Sequence, residues 1–415
     1  MEREELKREV LAGLTTFFTM SYILVVNPAI LSAAGMPKEG VIFATAVSAA
    51  IATFLMGVYA KLPFALAPGM GLNAYFAYTV CGQMGIPWQT ALAAVFLEGV
   101  IFLVLALFGA RRAIFRSIPR SLAYAISAGI GLFIALIGLK NAGIVTYSKA
   151  TLLQLGNLKE PQAVITLLSL ILITLLVKKG VKGSLLIGIG FATALAAALG
   201  MVKAPHAVFG FPHPETAFKL SFHQIFSLQI VPVITAFLLV DVFDTVGTLS
   251  ALCTRLGIEL HDKRVGRALT CDAVGTTVGG LLGTSTVTTY VESASGVAAG
   301  GKTGLTAVTV AALFALSLFL YPLISVVPEF ATSAVLIFVG YFMVESLKNV
   351  EWSDVTEALP AFVTLIGIPL TFSISDGMGL GFITYTAVKL LSGKFKDLNY
   401  IIILISLIFA AKFFA

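Results

Sequence analysis

Asp241, Asp244, Asp272 and Glu292 are carboxylates set in stretches that are otherwise apolar or small: LLVDVFDTVGTL, TCDAVGTTVGG and TTYVESASGV. An ionisable group in such a setting is costly to bury, and its default reading is a functional one. On a helix through Val231–Leu252, Asp241, Asp244 and Thr248 fall on one face, because residues three and four apart are neighbours. Asp244 from that helix and Glu292 from an irregular segment can then converge. Two facing carboxylates can accept N–H bonds from a bound solute, or take up and release a proton. The four histidines, His206, His213, His223 and His261, all fall in loops, so carboxyls are the only obvious proton carriers in the apolar segments. For Asp241, helix–helix hydrogen bonding weighs equally with a role at the site. Asp272 reads more as a tether for neighbouring backbone or hydroxyl groups. Glu98, alone in its apolar run, reads as a packing residue, and Glu345 as interfacial.

The elements that must position these acids are apolar blocks. The chain has 415 residues, 58% hydrophobic and 12% charged, where a soluble domain is about half apolar and a quarter charged. The excess sits in runs near the roughly 20 residues that a bilayer span needs. No charged stretch is long enough for a soluble domain, so the expectation is one polytopic membrane domain with short loops. The net charge of +6 reflects topology rather than nucleic-acid binding. With Met1 on the cytoplasmic side, the basic loops 111–120, 178–182, 255–267 and 393–396 all face inward, which is the positive-inside bias. No cleavable signal peptide is evident. Cys81, Cys253 and Cys271 have no metal-like spacing, and no metal or cofactor is expected.

The second half echoes the first. Pro119–Asn141 and Pro328–Asn349 both open on Pro and close on Lys-Asn, and Pro119 recurs as Pro328, an offset of 209 residues. Seven segments per half are expected, near 13–33, 40–60, 64–80, 89–109, 119–139, 162–178 and 183–200, then near 230–252, 265–282, 286–300, 304–325, 329–347, 359–374 and 378–392. The repeats run 10–202 and 225–393. An odd number of spans per repeat inverts the second half, a signature of secondary transporters. The apolar segment 398–415 lies beyond the repeat and could span or lie at the interface. Two segments at matching positions are wrong for ordinary spans. Lys61–Val80 carries Pro63, Pro68, Gly69 and Gly71, and Gly283–Gly301 is rich in Thr, Ser and Gly. Each predicts a short strand followed by a half-helix whose N-terminus aims at a central site. Paired broken segments of this kind point to a substrate site.

The motifs GLTTFFTMSYILVVNPAIL (Gly13–Leu31), ALAPGMGLNAYFAYTV (Ala65–Val80), DVFDTVGTL (Asp241–Leu249) and GTSTVTTYVESASGVAAGGKTGLTA (Gly283–Ala307) carry a resemblance that extends across nearly the whole chain. The chain resembles the nucleobase–cation symporter-2 (nucleobase–ascorbate transporter) family, in its azaguanine-type branch of adenine, guanine and hypoxanthine permeases. The resemblance implies an all-α polytopic fold of fourteen segments in two inverted sevens. A core would comprise residues about 13–110 and 230–325, and a gate about 119–200 and 328–393. It implies that Glu292 and Asp244 bind the base; Asp244 stands where related uracil permeases have a longer acid, and Thr248 where they have a histidine. A proton role for that histidine therefore cannot carry over, and Asp241, Asp244, Glu292 and Asp272 are the proton-coupling candidates. Tyr290 beside Glu292, Phe18 of the first span, and Gly71 and Asn73 of the first broken segment complete the candidate substrate set.

The chemistry fits independently. A purine is planar, with N–H donors and ring-nitrogen acceptors along its edges, and an unpaired polar group in a dry site costs about 1–3 kcal/mol. The expectation is a proton-coupled importer of purine nucleobases in the cell membrane, its N-terminus cytoplasmic, with a homodimer implied by the family. Alternatives are a same-fold carrier of xanthine, uracil or another small solute, or sodium coupling. No nucleophile–base pair or metal cluster in the spans suggests an enzyme.

Overall fold

A computed structural model describes residues 3–107, 119–205, 207–223, 225, 230–259 and 262–414. Arg111, Arg112 and Arg116 of one basic loop, with His206 and His261, lie outside these residues.

The apolar runs fold as helices. In the first half these are α1 (Arg3–Met20), α2 (Ile23–Ser32), α3 (Lys38–Leu55), α4 (Met70–Ala74), α5 (Trp88–Leu107), α6 (Arg120–Asn141), α7 (Pro161–Lys178) and α8 (Ser184–Ala198). In the second half they are α9 (Ile230–Leu256), α10 (Lys263–Leu282), α11 (Ser293–Ala298), α12 (Gly304–Ser317), α13 (Tyr321–Ser325), α14 (Ser333–Val344), α15 (Val355–Thr371) and α16 (Ile374–Leu391), followed by α17 (Tyr400–Phe414). Each of the expected segments coincides with one of these elements or a pair of them. Among the described residues seven helical stretches are long and apolar enough to cross a membrane, including Arg3–Ser32, where α1 and α2 are joined at Ser21–Tyr22.

Both broken segments are a strand followed by a half-helix, as their proline, glycine and threonine content predicts. Strand β1 (Leu66–Pro68) leads into α4, which runs on as a π-helical stretch to Gln83, and a strand at Val287–Thr289 leads into α11. Between them in sequence lies an unforeseen exposed hairpin, β2 (Val145–Ser148) and β3 (Leu152–Leu155), so the strand at Val287–Thr289 is β4.

β1 and β4 pair antiparallel, Leu66 opposite Thr289, Ala67 opposite Thr288 and Pro68 opposite Val287. The Gly69 N–H donates to the Thr286 carbonyl at 2.9 Å, and the Tyr290 N–H to the Ala65 carbonyl at 2.9 Å. Hydrogen-bonded positions alternate in such a ladder, which places Pro68 where no N–H is needed. The strands' outer edges are closed by one threonine each. Thr53 of α3 accepts from the Leu66 N–H (2.9 Å) and donates to its carbonyl (3.0 Å). Thr276 of α10 does the same for Val287, at 3.2 and 3.1 Å. Extended backbone far from water must be satisfied within the protein, and these two residues do that for the paired strands.

Two packing groups surround this crossing. One has α5 and α3 against α10, α1 and α3 against α12, and α9 against α5 and β4. The other packs α6 against α14 and α15, and α15 against α16. At the centre of the second group Gly131 of α6 meets Gly340 of α14, where an added Cβ on Gly131 would lie 2.7 Å from the Gly340 carbonyl oxygen. These two glycines are separated by 209 residues, the same offset as Pro119 and Pro328. The C-terminal α17 packs on α16, where Ser406 donates to the Phe382 carbonyl (3.0 Å) and Lys412 pairs with Asp376 (2.6 Å).

Candidate functional site

The crossing of β1 and β4 fixes where each half-helix starts. Gly69 is the residue before α4, and Glu292 the residue before α11. Glu292 is therefore held at a corner whose two arms are both anchored. Upstream, the Tyr290 hydroxyl donates to the Pro68 carbonyl at 2.5 Å. Downstream, Ser293 Oγ accepts from the Ala65 N–H at 2.9 Å, and Ser295 Oγ donates to the Glu292 carbonyl at 2.7 Å and meets Thr19 Oγ1 at 2.7 Å.

The Glu292 carboxylate accepts a hydrogen bond from the Tyr22 hydroxyl at 2.6 Å. It lies close enough to Asp244 for the two charges to interact, and Tyr22 and Tyr290 lie close to both acids. Asp244 is reached from α9, where Thr288 of β4 donates to its Oδ2 at 3.3 Å. Asp244 is exposed, and Glu292, Thr248 and Gly71 are half-buried, so these four can meet a solute. Tyr290 and Asn73 are buried. Asn73 takes the Ser285 hydroxyl on Oδ1, while its Nδ2 has no acceptor among the described residues. Gly71 faces the second packing group: a Cβ there would lie 2.6 Å from Cγ2 of Ile130 in α6. Phe18 is 49% exposed, its ring edge-on to Phe17.

The N-terminus of α11 does less than the sequence suggests. The N–H groups of Ser293, Ala294 and Ser295 are already taken by the carbonyls of Tyr290, Val291 and Glu292, at 3.1, 2.9 and 2.9 Å. The side chains, not free backbone donors of α11, supply the polar groups of the site.

Asp241 and Asp272 lie elsewhere. Both are fully buried, and Thr245 bridges them, donating to Asp272 Oδ2 at 2.6 Å and reaching Asp241 Oδ1 at 3.5 Å. Asp272 also accepts from Thr289 of β4 at 3.0 Å, so its tethering role is visible. Glu98 of α5 joins them, with Thr286 at 3.4 Å from its Oε2. The structure thus separates the acids into an open pair, Asp244 and Glu292, and a sealed group of Glu98, Asp241 and Asp272. Among the described residues no group of three or more His, Cys, Asp and Glu is placed to hold a metal ion. Sequence reasoning missed Tyr22. Its signal is a phenol within an apolar run, FTMSYILVV, next to the only interruption of the first span.

Comparison with known proteins gives a consistent family. The permease family matches residues 7–380. The guanine/hypoxanthine permease PbuO of Bacillus subtilis is 43% identical over 429 aligned residues, spanning 100% of this chain and 98% of its own. The adenine permease AdeP of Escherichia coli is 41% identical over 98% of this chain and 92% of its own. Among solved structures, the transmembrane domain of the cyanobacterial bicarbonate transporter BicA superposes with a TM-score of 0.70 at 16% identity, covering 91% of this chain and 98% of that one. That last likeness is one of fold alone.

Proposed function

Because this chain belongs to the permease family, the nucleobase–ascorbate transporters that its motifs resemble, we propose that it imports purine nucleobases (adenine, guanine and hypoxanthine) by proton-coupled alternating access. The observation that carries this reading is the open pair of acids. Glu292 stands at the corner between strand and half-helix, facing Asp244, with polar groups and small residues around both. A carboxylate accepts N–H bonds from one edge of a planar base, and two such groups in a confined site favour a solute rich in donors. Thr248, Gly71, Tyr290, Asn73 and Phe18 complete the proposed set, Asn73 and Tyr290 from behind the pair. An anion such as the bicarbonate named for the fold neighbour is disfavoured, since two carboxylates repel it.

In this proposal the chain crosses the cell membrane fourteen times as two inverted sevens, with the N-terminus cytoplasmic. The group around the crossed strands is the core, residues about 13–110 and 230–325. The group of α6, α14, α15 and α16 belongs to the gate, residues about 119–200 and 328–393. The meeting of Gly131 with Gly340, equivalent positions of the two repeats, supports an internal two-fold relation. Movement of one group against the other would alternately open the acid pair to each side. Asp241, Asp244, Asp272 and Glu292 are the groups proposed to couple transport to protons.

The test is uptake of radiolabelled adenine, guanine and hypoxanthine by cells lacking their own purine permeases. Saturable uptake of at least one is expected. No uptake of any, with the protein present in the membrane, overturns the substrate assignment; uptake of xanthine or uracil instead selects the same-fold alternative, and dependence on a sodium gradient selects sodium coupling. A milder variant probes the support of the site. Tyr22→Phe removes one hydrogen bond to a carboxylate and is expected to weaken binding of the transported purine roughly tenfold, about 1.5 kcal/mol. Equilibrium binding to the purified protein measures it, and unchanged affinity would detach Tyr22 from the site.

A further inference from the structure

The sealed acid group behind the site contains an unmet hydrogen bond. Glu98 is fully buried, and its Oε1 has no hydrogen-bond partner among the described residues. Its Oε2 meets only a long contact from Thr286 at 3.4 Å. Yet the carboxyls of Glu98 and Asp241 lie within hydrogen-bond reach of each other. A carboxylate has acceptors and no donor. Two of them in contact need a hydrogen between them, and the hydroxyls nearby do not fill that place. Thr276 reaches Asp241 Oδ2 only at 3.5 Å and gives its better bond, 3.1 Å, to the Val287 carbonyl.

Among the described residues no cation is paired with either acid. The titratable groups facing the pair are Asp272 of α10, Asp244 a turn along α9, and Cys271 beside Asp272. Tyr75, beyond α4, faces Ser375 and Asp376 instead. No lysine, arginine or histidine among the described residues acts on any of the three buried acids. Like charges this close, out of water, cannot both ionise.

We propose that Glu98 and Asp241 share one proton in a sealed site behind β4, and that this pair, rather than the substrate acids, is where the coupling proton of transport resides. The proposal rests on the transporter reading above and names the ion site within it. Loading adds a second proton to the pair, forming one O–H bond at the expense of a water-borne proton on one side of the membrane. Unloading breaks that bond and returns that proton to water on the other side, while the shared proton stays, so the two acids are never ionised together; no electrons move. The link to substrate is β4 itself. The hydroxyls of β4 and of the residue before it hang on the acids, Thr286 on Glu98, Thr288 on Asp244 and Thr289 on Asp272, and the strand ends three residues before Glu292. A change of charge in the sealed group alters the bonds of the segment that carries the substrate carboxylate.

The experiment uses the full chain in liposomes with tritiated hypoxanthine and tritiated adenine. Glu98→Gln keeps the shape and supplies a permanent donor in place of the proton. It is expected to retain counterflow exchange and to lose accumulation driven by a pH gradient. Accumulation equal to that of the wild type overturns the proposal. If the wild-type protein exchanges no purine at all, the transporter reading fails instead, and an independent readout remains. The infrared difference spectrum of the wild type between acid and alkaline pH is expected to contain the C=O stretch of a buried protonated carboxyl. Glu98→Gln and Asp241→Asn should each remove it. Absence of that band in the wild type, or its persistence in either folded variant, overturns the shared proton.

Discussion

Glu292→Gln lowers the affinity for the transported purine by about 100-fold, roughly 3 kcal/mol, in equilibrium binding to the purified protein. The side chain keeps its length and its place at the corner between β4 and α11, so the fold is not at stake. What changes is polarity. One carboxylate oxygen becomes an N–H₂ donor, and it must then face either the Tyr22 hydroxyl, which donates at 2.6 Å, or a donor on the base. Either the base meets a donor where it had an acceptor, or the Tyr22 hydroxyl must turn to accept and gives up the charge-assisted bond it donates, and a buried group left unpaired costs its desolvation. Asp244 cannot compensate, because it reaches the site from α9 and is already tied to Thr288. Affinity within a few-fold of the wild type would remove Glu292 from the substrate site.

Ala67→Pro, a change of two methylenes in volume, abolishes the folded protein or its transport. The variant is expected to lose about 3 kcal/mol or more, read as loss of the monodisperse peak in detergent size-exclusion or as a lowered melting temperature. The reason is register. Gly69 and Ala65 take part in the bonds between the strands, so Ala67, two residues from each, holds the bonded position opposite Thr288. Proline there deletes an N–H and strands the Thr288 carbonyl away from water. The natural Pro68, one residue on, costs nothing because its position faces no acceptor. An Ala67→Pro protein of wild-type stability and activity would show that the β1–β4 ladder is not what holds the site.

Much of this arrangement could be read from residues. Asp244 and Glu292 stand out because ionised groups in apolar runs are expensive. Pro63, Pro68, Gly69 and Gly71, and the Thr-rich run at 284–289, mark broken segments because neither composition suits a continuous helix. What could not be read is pairing. Nothing in Leu66–Pro68 says that its partner is Val287–Thr289, because three-residue strands carry too short a pattern to specify a register. The same limit hid Tyr22 and the acid neighbours of Glu98. Each is a single polar group in an apolar helix, and only its neighbour in space distinguishes a partner at a site from a packing residue. The exposed hairpin at 145–155 was missed for a different reason: its apolar residues, Tyr147, Leu152 and Leu155, point outward. The helix at 400–414 was seen, and its packing on α16 through Ser406 and Lys412 was not.

The ladder between Leu66–Pro68 and Val287–Thr289 also sets an order of assembly. A chain made from its N-terminus places residues 61–83 in the membrane while the partner strand has yet to be synthesised. During that interval Thr53 can cover one edge of β1, but the other edge has no complement within the first half. The first repeat is therefore an unfinished product that waits for the second, and the two close on each other at the proposed substrate site. A cell that truncates this chain before residue 287 is left with an open strand edge at membrane depth, a target for quality-control proteolysis, and the transport site is among the last parts of the molecule to exist.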